Sequence, residues 1–490
     1  MRDGAFLGVV AETEAAAVAA ARWAAARAGW ADDVAAPADA VDAIRRSAEP
    51  AEVVHEAGDP DAARGRVFEA TVTRPYLSHA SIGPSAAVAE WRDGRLRVWS
   101  HAQGPYPLRA ALADVFGVAP EAIEVAHRPG AGCYGHNGAD DAALDAALLA
   151  RATPGRPVKV VWDRATEFRC APLGPGMATR VRAVVGEDGR VSAMEVVANS
   201  APHGNRPGRN GAPNLRAAAY LDKPFPTPRS GDVPLASGGG ADRNAVPGYA
   251  IPNLRISKRI VHELPYRTSS LRALGGFANV YAIETMMDRI ARETGRDPVA
   301  FRLAHLDDPR ACAVIEAAAA AAAPLRARLQ REGTTSEGAG WGLGYARYKN
   351  TAAYCAVMAR IEVDAGIRVT DVFVGLDAGE IVNPDGAINQ TEGGVIQAIS
   401  WTLKESVRFE GAAVATQGWG DYPILTFSET PEVAVRLIDH PEAPPLGCAE
   451  AAQGPTAAAL GNALRDAVGV HAPDLPLTRE AIIAALELTQ

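Results

Sequence analysis

Two β-hairpins separated by helical stretches most constrain the fold of this chain. "AAVAEWRDGRLRVWSH" and the segment from Met177 to Ser200 each carry apolar runs on both sides of an Asp-Gly pair, at Asp93-Gly94 and Asp188-Gly189. Asp-Gly between such runs is typical of a tight hairpin. Amphipathic helical patterns, such as "FANVYAIETMMDRIARETG", lie between and after the hairpins. The mixture predicts an α+β (mixed α/β) protein rather than a doubly wound parallel sheet.

The size and charge of the chain exclude several classes of protein. At 490 residues it is long for one hydrophobic core, so we expect two or more domains. Its 49 basic and 58 acidic residues give a net charge of −9 without a basic block, which argues against nucleic acid or an anionic membrane as a partner. No apolar run approaches the roughly 20 residues of a membrane span. The five cysteines are scattered without a CxxC pair, which argues against an iron–sulfur cluster held by this chain.

Three further segments carry local predictions. "GAFLGVVAE" predicts a strand, and the alanine-rich stretch after it predicts a helix that ends at Gly29. A second helix is predicted from about Gln390 to Glu405. The segment from Ala201 to Gly248 is rich in Gly, Pro, Asn and Arg and has little periodicity, which predicts a long irregular loop with a functional role.

The stretch "RPGAGCYGHNGADDAALDAALLA", from Arg128 to Ala150, allows several kinds of chemistry. Its glycines and the helix after them could cradle an anion, although neither GxxxxGK[ST] nor GxGxxG is present. His136, Asp140 and Asp141 could bind a metal, but zinc sites use three or four ligands at a recognisable spacing. Cys133 with His136 could be a nucleophile and its base, without the partner motif that such a pair needs. A plain turn before a helix explains the stretch equally well.

Several separated motifs, taken in order, resemble one enzyme family along nearly the whole chain. They are "VWSHAQGPYPLRAALA", "GAGCYGHNGADDAALDAALLA", "LPYRTSSLRALGGFANVYAIETMMDRIA", "DPVAFRLAHLDDPRA", "GLDAGEIVNPDGAINQTEGGVIQAISWTLKE" and "LGCAEAAQGPTAAALGNAL". Together they resemble the molybdopterin-binding large subunit of the xanthine dehydrogenase/aldehyde oxidase family of molybdenum hydroxylases. The similarity is greatest to the bacterial branch that contains isoquinoline and nicotinate dehydrogenases.

The resemblance implies roles for residues at two of these motifs. Gln103 matches a glutamine that the family places near the apical oxo ligand of molybdenum. Gly132, Cys133, Tyr134 and Gly135 match a turn whose backbone N–H groups face the oxygen ligands of the metal, as an oxyanion site requires. The resemblance therefore favours a backbone cradle, with Cys133 not a metal ligand and no side chain of this chain bound to the metal.

The other motifs carry the remaining site residues that the resemblance implies. Arg272 occupies the place of a substrate-pocket arginine, which would orient a heteroaromatic ring. Gln390, Glu392 and Gly393 lie in a stretch that the family uses around the pterin. Glu450 stands where the family keeps its catalytic glutamate, the general base that activates the attacking water.

Some positions depart from the family pattern. Purine-oxidising members tend to have an aromatic residue where Leu274 stands, so purines are not the expected substrates. Xanthine-oxidising members usually carry glycine at Cys133 and phenylalanine at Tyr134. The large chain of the family also normally begins well upstream of "RDGAFLGVVAE", with a glycine-rich pterin motif and half of a small domain. We therefore expect that the N-terminal part is missing or is supplied by a separate chain.

The resemblance predicts an organisation and two functional hypotheses. We expect an incomplete hammerhead-like α/β domain over residues 1–66 and molybdopterin-binding domains over 67–310 and 311–490. The first hypothesis is the catalytic subunit of a hydroxylase that oxidises an N-heteroaromatic or an aldehyde with oxygen from water. The second is a non-catalytic fragment or assembly subunit that keeps only the fold. The implied cofactor is molybdenum-molybdopterin in its cytosine dinucleotide form.

The resemblance also predicts the partners and the compartment. Electrons would pass to a 2Fe-2S subunit and from there to a flavin or cytochrome subunit, so iron–sulfur clusters are expected only on a partner. We expect a cytoplasmic protein, or a periplasmic one if an export signal lies in the missing N-terminal part.

Overall fold

A computed structural model describes residues 1–30, 34–227, 229, 231–333 and 338–487. The strands of these residues, β1 to β17 in chain order, are Arg2–Asp3, Phe6–Leu7, Glu52–Ala57, Arg66–Arg74, Ala86–Arg92, Arg95–Ser100, Ile123–His127, Val158–Val161, Met177–Val185, Val191–Ser200, Asn253–Ile260, Ala339–Arg347, Tyr354–Val363, Ile367–Asp377, Phe409–Glu410, Ala413–Val414 and Glu432–Ile438. The helices, α1 to α11, are Glu14–Ala25, Ala40–Arg45, Pro105–Phe116, Ala139–Ala152, Arg164–Cys170, Gly276–Glu293, Pro298–Leu303, Pro309–Glu332, Pro384–Leu403, Gln453–Val468 and Arg479–Glu487.

The strands form three main sheets, and the mixed α/β class is confirmed. A five-stranded sheet has the order β3-β11-β10-β9-β4, and two four-stranded sheets have the orders β7-β6-β5-β8 and β12-β13-β14-β17. Both predicted hairpins are present, as β5–β6 and β9–β10. Each sheet also contains a parallel pair, β10–β11, β6–β7 and β14–β17, which hairpin patterns alone do not reveal.

The helix α10 is buried because the strand beneath it is rich in glycine. Every residue from Gln453 to Leu464 is buried. On β12, a Cβ at Gly340, Gly342 or Gly344 would lie 2.0–2.2 Å from a backbone oxygen of α10. The alternation "GWGLG" thus leaves one face of β12 without side chains, and α10 packs directly on its backbone. This contact places the start of α10, and with it Glu450, at a defined position.

The N-terminal segment is packed less well. The predicted strand over "GAFLGVVAE" is reduced to Phe6–Leu7, which pairs only with Arg2–Asp3. None of the α1 residues, all of them described, is buried. The predicted boundary at residue 66 separates β3 from β4, which are the two edge strands of the same sheet. The division at residues 66 and 310 stays a prediction.

The segment from Ala201 to Gly248 has only short 3-10 turns among its described residues, as the composition predicts. In the described part of the chain, no helix combines the length and the apolar character needed to cross a membrane.

Candidate functional site

One cavity of ≈ 940 Å³ brings together side chains from widely separated parts of the chain. The predicted site residues that line it are Gln103, Cys133, Tyr134, Gly135, Arg272, Gln390 and Glu450. Gly132 adjoins them in the chain. Glu392 and Gly393 lie on α9 and are outside the cavity lining, although the next residue, Gly394, lies close to Arg272 and Gln453.

The glycine turn, residues 132–135, is docked on the segment Thr268–Arg272. The backbone N–H of Arg272 donates to the Tyr134 carbonyl at 2.7 Å, and the N–H of His136 donates to the Ser270 carbonyl at 2.8 Å. Gly135 has φ = 123°, and a Cβ there would lie 2.1 Å from the Ser270 oxygen. Only glycine fits this approach.

The docked turn leaves backbone donors unused. Within the described part of the chain, no hydrogen bond uses the N–H groups of Cys133, Tyr134 or Gly135. Tyr134 has φ = 51°, an uncommon value for a residue with a side chain. Adjacent free N–H groups in such a turn form a concave anion-binding surface.

The histidine and the acids of the same stretch have structural partners. His136 Nδ1 lies 2.9 Å from Ser269 Oγ, and its Nε2 lies 3.3 Å from Asp140 Oδ2. The Asp141 carboxylate accepts two hydrogen bonds from Arg267, at 2.6 and 3.0 Å. Among the described residues, no set of three His, Cys, Asp or Glu side chains converges as metal ligands. The contacts favour a structural role for His136 and Asp141.

Glu450 is held at the cavity wall through both carboxylate oxygens. Its Oε1 accepts from the Ala273 N–H at 3.0 Å, and its Oε2 accepts from Tyr348 Oη at 2.6 Å. Ala273 and the next residue, Leu274, both have positive φ, 70° and 48°, and this turn aims the Ala273 N–H at the carboxylate. Each carboxylate oxygen keeps a second lone pair.

Tyr348 links Glu450 to a buried arginine. Its hydroxyl accepts from Arg243 Nη1 at 2.7 Å while it donates to Glu450. Burial raises the pKa of Tyr348, and the Glu450 carboxylate raises it further. Tyr348 therefore stays protonated and remains a donor.

All three guanidinium nitrogens of Arg272 donate to acceptors within the chain. Nε and Nη2 donate to the Ala449 carbonyl, Nη1 donates to Gln397 Oε1 at 3.2 Å, and Nη2 also reaches the Gln390 carbonyl at 3.1 Å. Burial lowers the pKa of Arg272, while the negative charge of Glu450 raises it. These contacts tie the residue before Glu450 to α9, and the predicted contact of Arg272 with substrate stays a prediction.

Gln103 lies just before α3, where Gly104 is the N-cap residue. Its Oε1 accepts from Arg206 Nη1 at 2.6 Å. Burial lowers the pKa of Arg206, an effect opposed by the negative charge of Asp140.

Sequence reasoning missed Arg206, Arg243 and Tyr348. Arg206 contacts Gln103 and Tyr348 contacts Glu450, while Arg243 lines the cavity and donates to Tyr348 Oη. The two arginines lie in the irregular segment from Ala201 to Gly248, whose functional role was predicted without naming residues. Tyr348 follows β12 in "YKN", which carries no motif.

Two comparisons cover the chain. Two family models, each described as a molybdopterin cofactor-binding domain, match residues 46–229 and residues 259–431. The chain is 36% identical to the B subunit of nicotinate dehydrogenase from Pseudomonas putida, over 98% of this chain and 40% of the relative. It is 28% identical to the beta subunit of isoquinoline 1-oxidoreductase from Brevundimonas diminuta, over 80% of this chain and 47% of the relative. The chain thus spans less than half the length of these relatives.

A solved structure has the same fold. Quinoline 2-oxidoreductase from Pseudomonas putida 86 superposes with a TM-score of 0.79 at 17% identity, over 97% of this chain and 84% of that one. The chain belongs to the molybdopterin-binding subunits of the xanthine dehydrogenase/aldehyde oxidase family of oxidoreductases.

Proposed function

We propose that this chain is part of the catalytic subunit of a molybdenum hydroxylase. The observation that carries the proposal is the meeting of Gln103, the Gly132–Gly135 turn and Glu450 in one cavity. Three separate regions of the sequence supply an amide, a row of backbone donors and a carboxylate. A non-catalytic subunit that kept only the fold would not need to keep this set together.

The donor chemistry of the cavity fits the oxygen-rich metal end of a molybdopterin cofactor. The unused N–H groups of Cys133, Tyr134 and Gly135 would donate to anionic oxygens, and Gln103 and Gln390 would add amide contacts. When bound, the cofactor supplies the two-electron oxidation and transfers an oxygen atom derived from water. We propose its cytosine dinucleotide form, on the similarity to the bacterial branch.

Glu450 is the proposed general base. It would take the proton of the attacking water on the free lone pairs of its carboxylate. The donors Ala273 N–H and Tyr348 Oη hold the two oxygens in place and prevent rotation of the carboxylate. Arg272 is proposed as a positioning residue, because it ties Ala449 to α9 and thereby orients the residue that follows.

The substrate is proposed to be an N-heteroaromatic or an aldehyde, and the electron acceptor a 2Fe-2S subunit. The names of the relatives support heteroaromatic substrates, since nicotinate and isoquinoline are both nitrogen heterocycles. Leu274 lines the cavity, where it offers an aliphatic wall rather than a ring for stacking. We also propose a three-part division at residues 66 and 310 and a cytoplasmic location.

The test starts from the protein purified from its native host with its accompanying subunits. We expect near-stoichiometric molybdenum, iron on a second subunit, and turnover of nitrogen heterocycles or aldehydes with oxygen from labelled water. Glu450→Gln should abolish turnover while molybdenum content is unchanged.

The matched control is Glu442→Gln, an exposed acid eight positions upstream, which should retain activity. Molybdenum absent from the purified complex, or full activity in the Glu450→Gln variant, would reject the proposal.

A further inference from the structure

The cavity carries more positive than negative charge. The residues that line it include four arginines, Arg206, Arg209, Arg243 and Arg272, and two acids, Asp140 and Glu450. Positive charge concentrated in a concave site attracts anions and strengthens their binding. The arginines differ in how much of their donor capacity the chain itself uses.

Two of the arginines are occupied by internal acceptors. Arg272 donates from all three of its nitrogens, and Arg243 donates to the Gly238 carbonyl and to Tyr348 Oη, at 2.8 and 2.7 Å. By contrast, the described residues offer Arg206 a single acceptor, Gln103 Oε1, and offer the Arg209 guanidinium none. A guanidinium has five N–H donors, so most of those on Arg206 and Arg209 remain available.

The backbone presents both arginines from a braced turn. The segment before Arg206 is bonded side by side to Thr268–Ser270: Thr268 Oγ1 donates to the Pro202 carbonyl, Asn205 Nδ2 to the Thr268 carbonyl, and Ser269 Oγ to the Asn205 carbonyl. Asn214 Nδ2 then donates to the carbonyls of both Arg206 and Arg209, at 2.9 and 2.8 Å. The two carbonyls are thus held by one amide group, which limits the loss of backbone entropy on binding.

We infer that Arg206 and Arg209 form an oxyanion subsite on the wall of this cavity, specific for a carboxylate or a phosphate. Planar guanidinium groups bind both through paired, charge-assisted hydrogen bonds. The inference rests on the proposed function, which supplies two sources of such a group. One is a carboxylate on the heteroaromatic substrate, and the other is a phosphate of the cofactor.

The experiment compares Arg206→Gln and Arg209→Gln with the parent holoenzyme complex. Arg206→Lys keeps the charge without the paired geometry, and Arg128→Gln is the control, since Arg128 is exposed and lies outside the cavity lining. Each protein is assayed for molybdenum content. Binding of pyridine-3-carboxylate and of its neutral analogue pyridine-3-carboxamide is followed by the thermal shift that each ligand produces, and kcat/KM is measured where there is turnover.

If the subsite binds a carboxylate of the substrate, the parent should bind pyridine-3-carboxylate more tightly than pyridine-3-carboxamide. Both Gln variants should then lose about 10- to 100-fold of affinity for the acid alone, the range expected for one or two charge-assisted hydrogen bonds. Molybdenum content should be unchanged, and Arg206→Lys should recover part of the loss. If the subsite instead binds a phosphate of the cofactor, both Gln variants should lose molybdenum. The acid and the amide should then bind with equal affinity.

The inference is overturned if the parent shows no preference for the acid and both Gln variants keep their molybdenum. That result leaves the proposed function standing, provided that Glu450→Gln still abolishes turnover. Failure of the proposed function has a different signature, because the parent complex itself would then lack molybdenum or would be indifferent to the change at Glu450.

Discussion

Two helices that contain several alanines, α1 and α10, lie in opposite environments. α1, "EAAAVAAARWAA", has no buried residue among its fully described twelve, and Trp23 on it is 62% exposed. α10, "QGPTAAALGNALRDAV", is buried at every position from Gln453 to Leu464. Alanine content therefore does not decide whether a helix is buried. Burial is decided by the surface against which the helix packs. For α10 that surface is the glycine face of β12, formed by Gly340, Gly342 and Gly344.

The contrast explains how the site is held. Because small residues face each other across β12 and α10, the two backbones approach closely. Glu450 lies three residues before α10, so the placement of this helix also places Glu450, whereas α1 has no buried residue. Breaking the β12 contact should thus damage both stability and the site.

The largest expected effect comes from a side chain on the glycine face. Gly342→Val would place a Cβ 2.0 Å from the Ala459 oxygen, and the contact cannot be relieved without moving α10. We expect a loss of stability above the roughly 1–3 kcal/mol that is typical of overpacking, measured by thermal unfolding. The control is Gly366→Val, where the space around the Cβ position is open. Equal unfolding temperatures for the two variants would contradict the packing argument.

Burial also changes the protonation of an acidic side chain, Glu405. Glu405, just past the end of α9, is 3% exposed, and burial raises its pKa from 4.5 to about 7 against hydrogen bonds from Ser400 and Tyr422. The folded state thus holds this proton more tightly than the unfolded state, so stability falls as pH rises from about 4.5 to 7. The shift corresponds to a decrease on the order of 3 kcal/mol in the free energy of unfolding across this pH range.

Glu405→Gln removes this titration. Chemical unfolding at pH 5 and at pH 8 should show that the variant loses less stability than the parent across this window. Glu14→Gln, on the exposed helix α1, should follow the parent at both pH values. If Glu405→Gln and the parent have the same pH dependence, Glu405 does not titrate in this range.

The fold could be predicted where local chemistry decides it. At the Asp93-Gly94 turn both residues have positive φ, 47° and 75°, and the hairpin forms there as the dipeptide predicts. The helix predicted to begin at about Gln390 begins at Pro384, with Asn383 as N-cap, and "NPD" is an N-terminal signal that could have corrected it. The parallel pair β10–β11 joins strands that are distant in the chain, and no local pattern specifies it.

The candidate site could likewise be predicted from the sequence only in part. The resemblance of the motifs pointed to Gln103, the glycine turn and Glu450, and the structure places all three at one cavity. The partners of these residues come from tertiary structure: Arg206 reaches Gln103 across 103 positions and Tyr348 reaches Glu450 across 102. Arg272 illustrates the limit, since its bonds to the Ala449 carbonyl depend on where α10 begins.

Tyr348 tests whether the partner of Glu450 matters beyond stability. Tyr348→Phe removes the hydrogen bond to Oε2, and we expect a loss of about 1 kcal/mol in the free energy of unfolding. If the proposed function holds, kcat should also fall by roughly tenfold at unchanged molybdenum content, because the carboxylate is no longer held from both sides. Tyr354→Phe is the matched control, since Tyr354 Oη donates to Asp308 Oδ2 at 2.8 Å outside the cavity lining. It should lose comparable stability and keep its kcat.

The smallest effect on stability is expected for a substitution on α1. Trp23→Ala removes the largest side chain of this helix, yet the ring contacts mainly the Arg27 guanidinium, 4.4 Å from the ring centroid, and is mostly exposed. We expect the free energy of unfolding of this chain to change by no more than about 0.5 kcal/mol, as for other surface substitutions. Arg22→Ala, at the neighbouring exposed position, serves as the control for helix propensity. A loss above about 1 kcal/mol for Trp23→Ala alone would mean that α1 packs against a surface, and the contrast with α10 would then be one of degree.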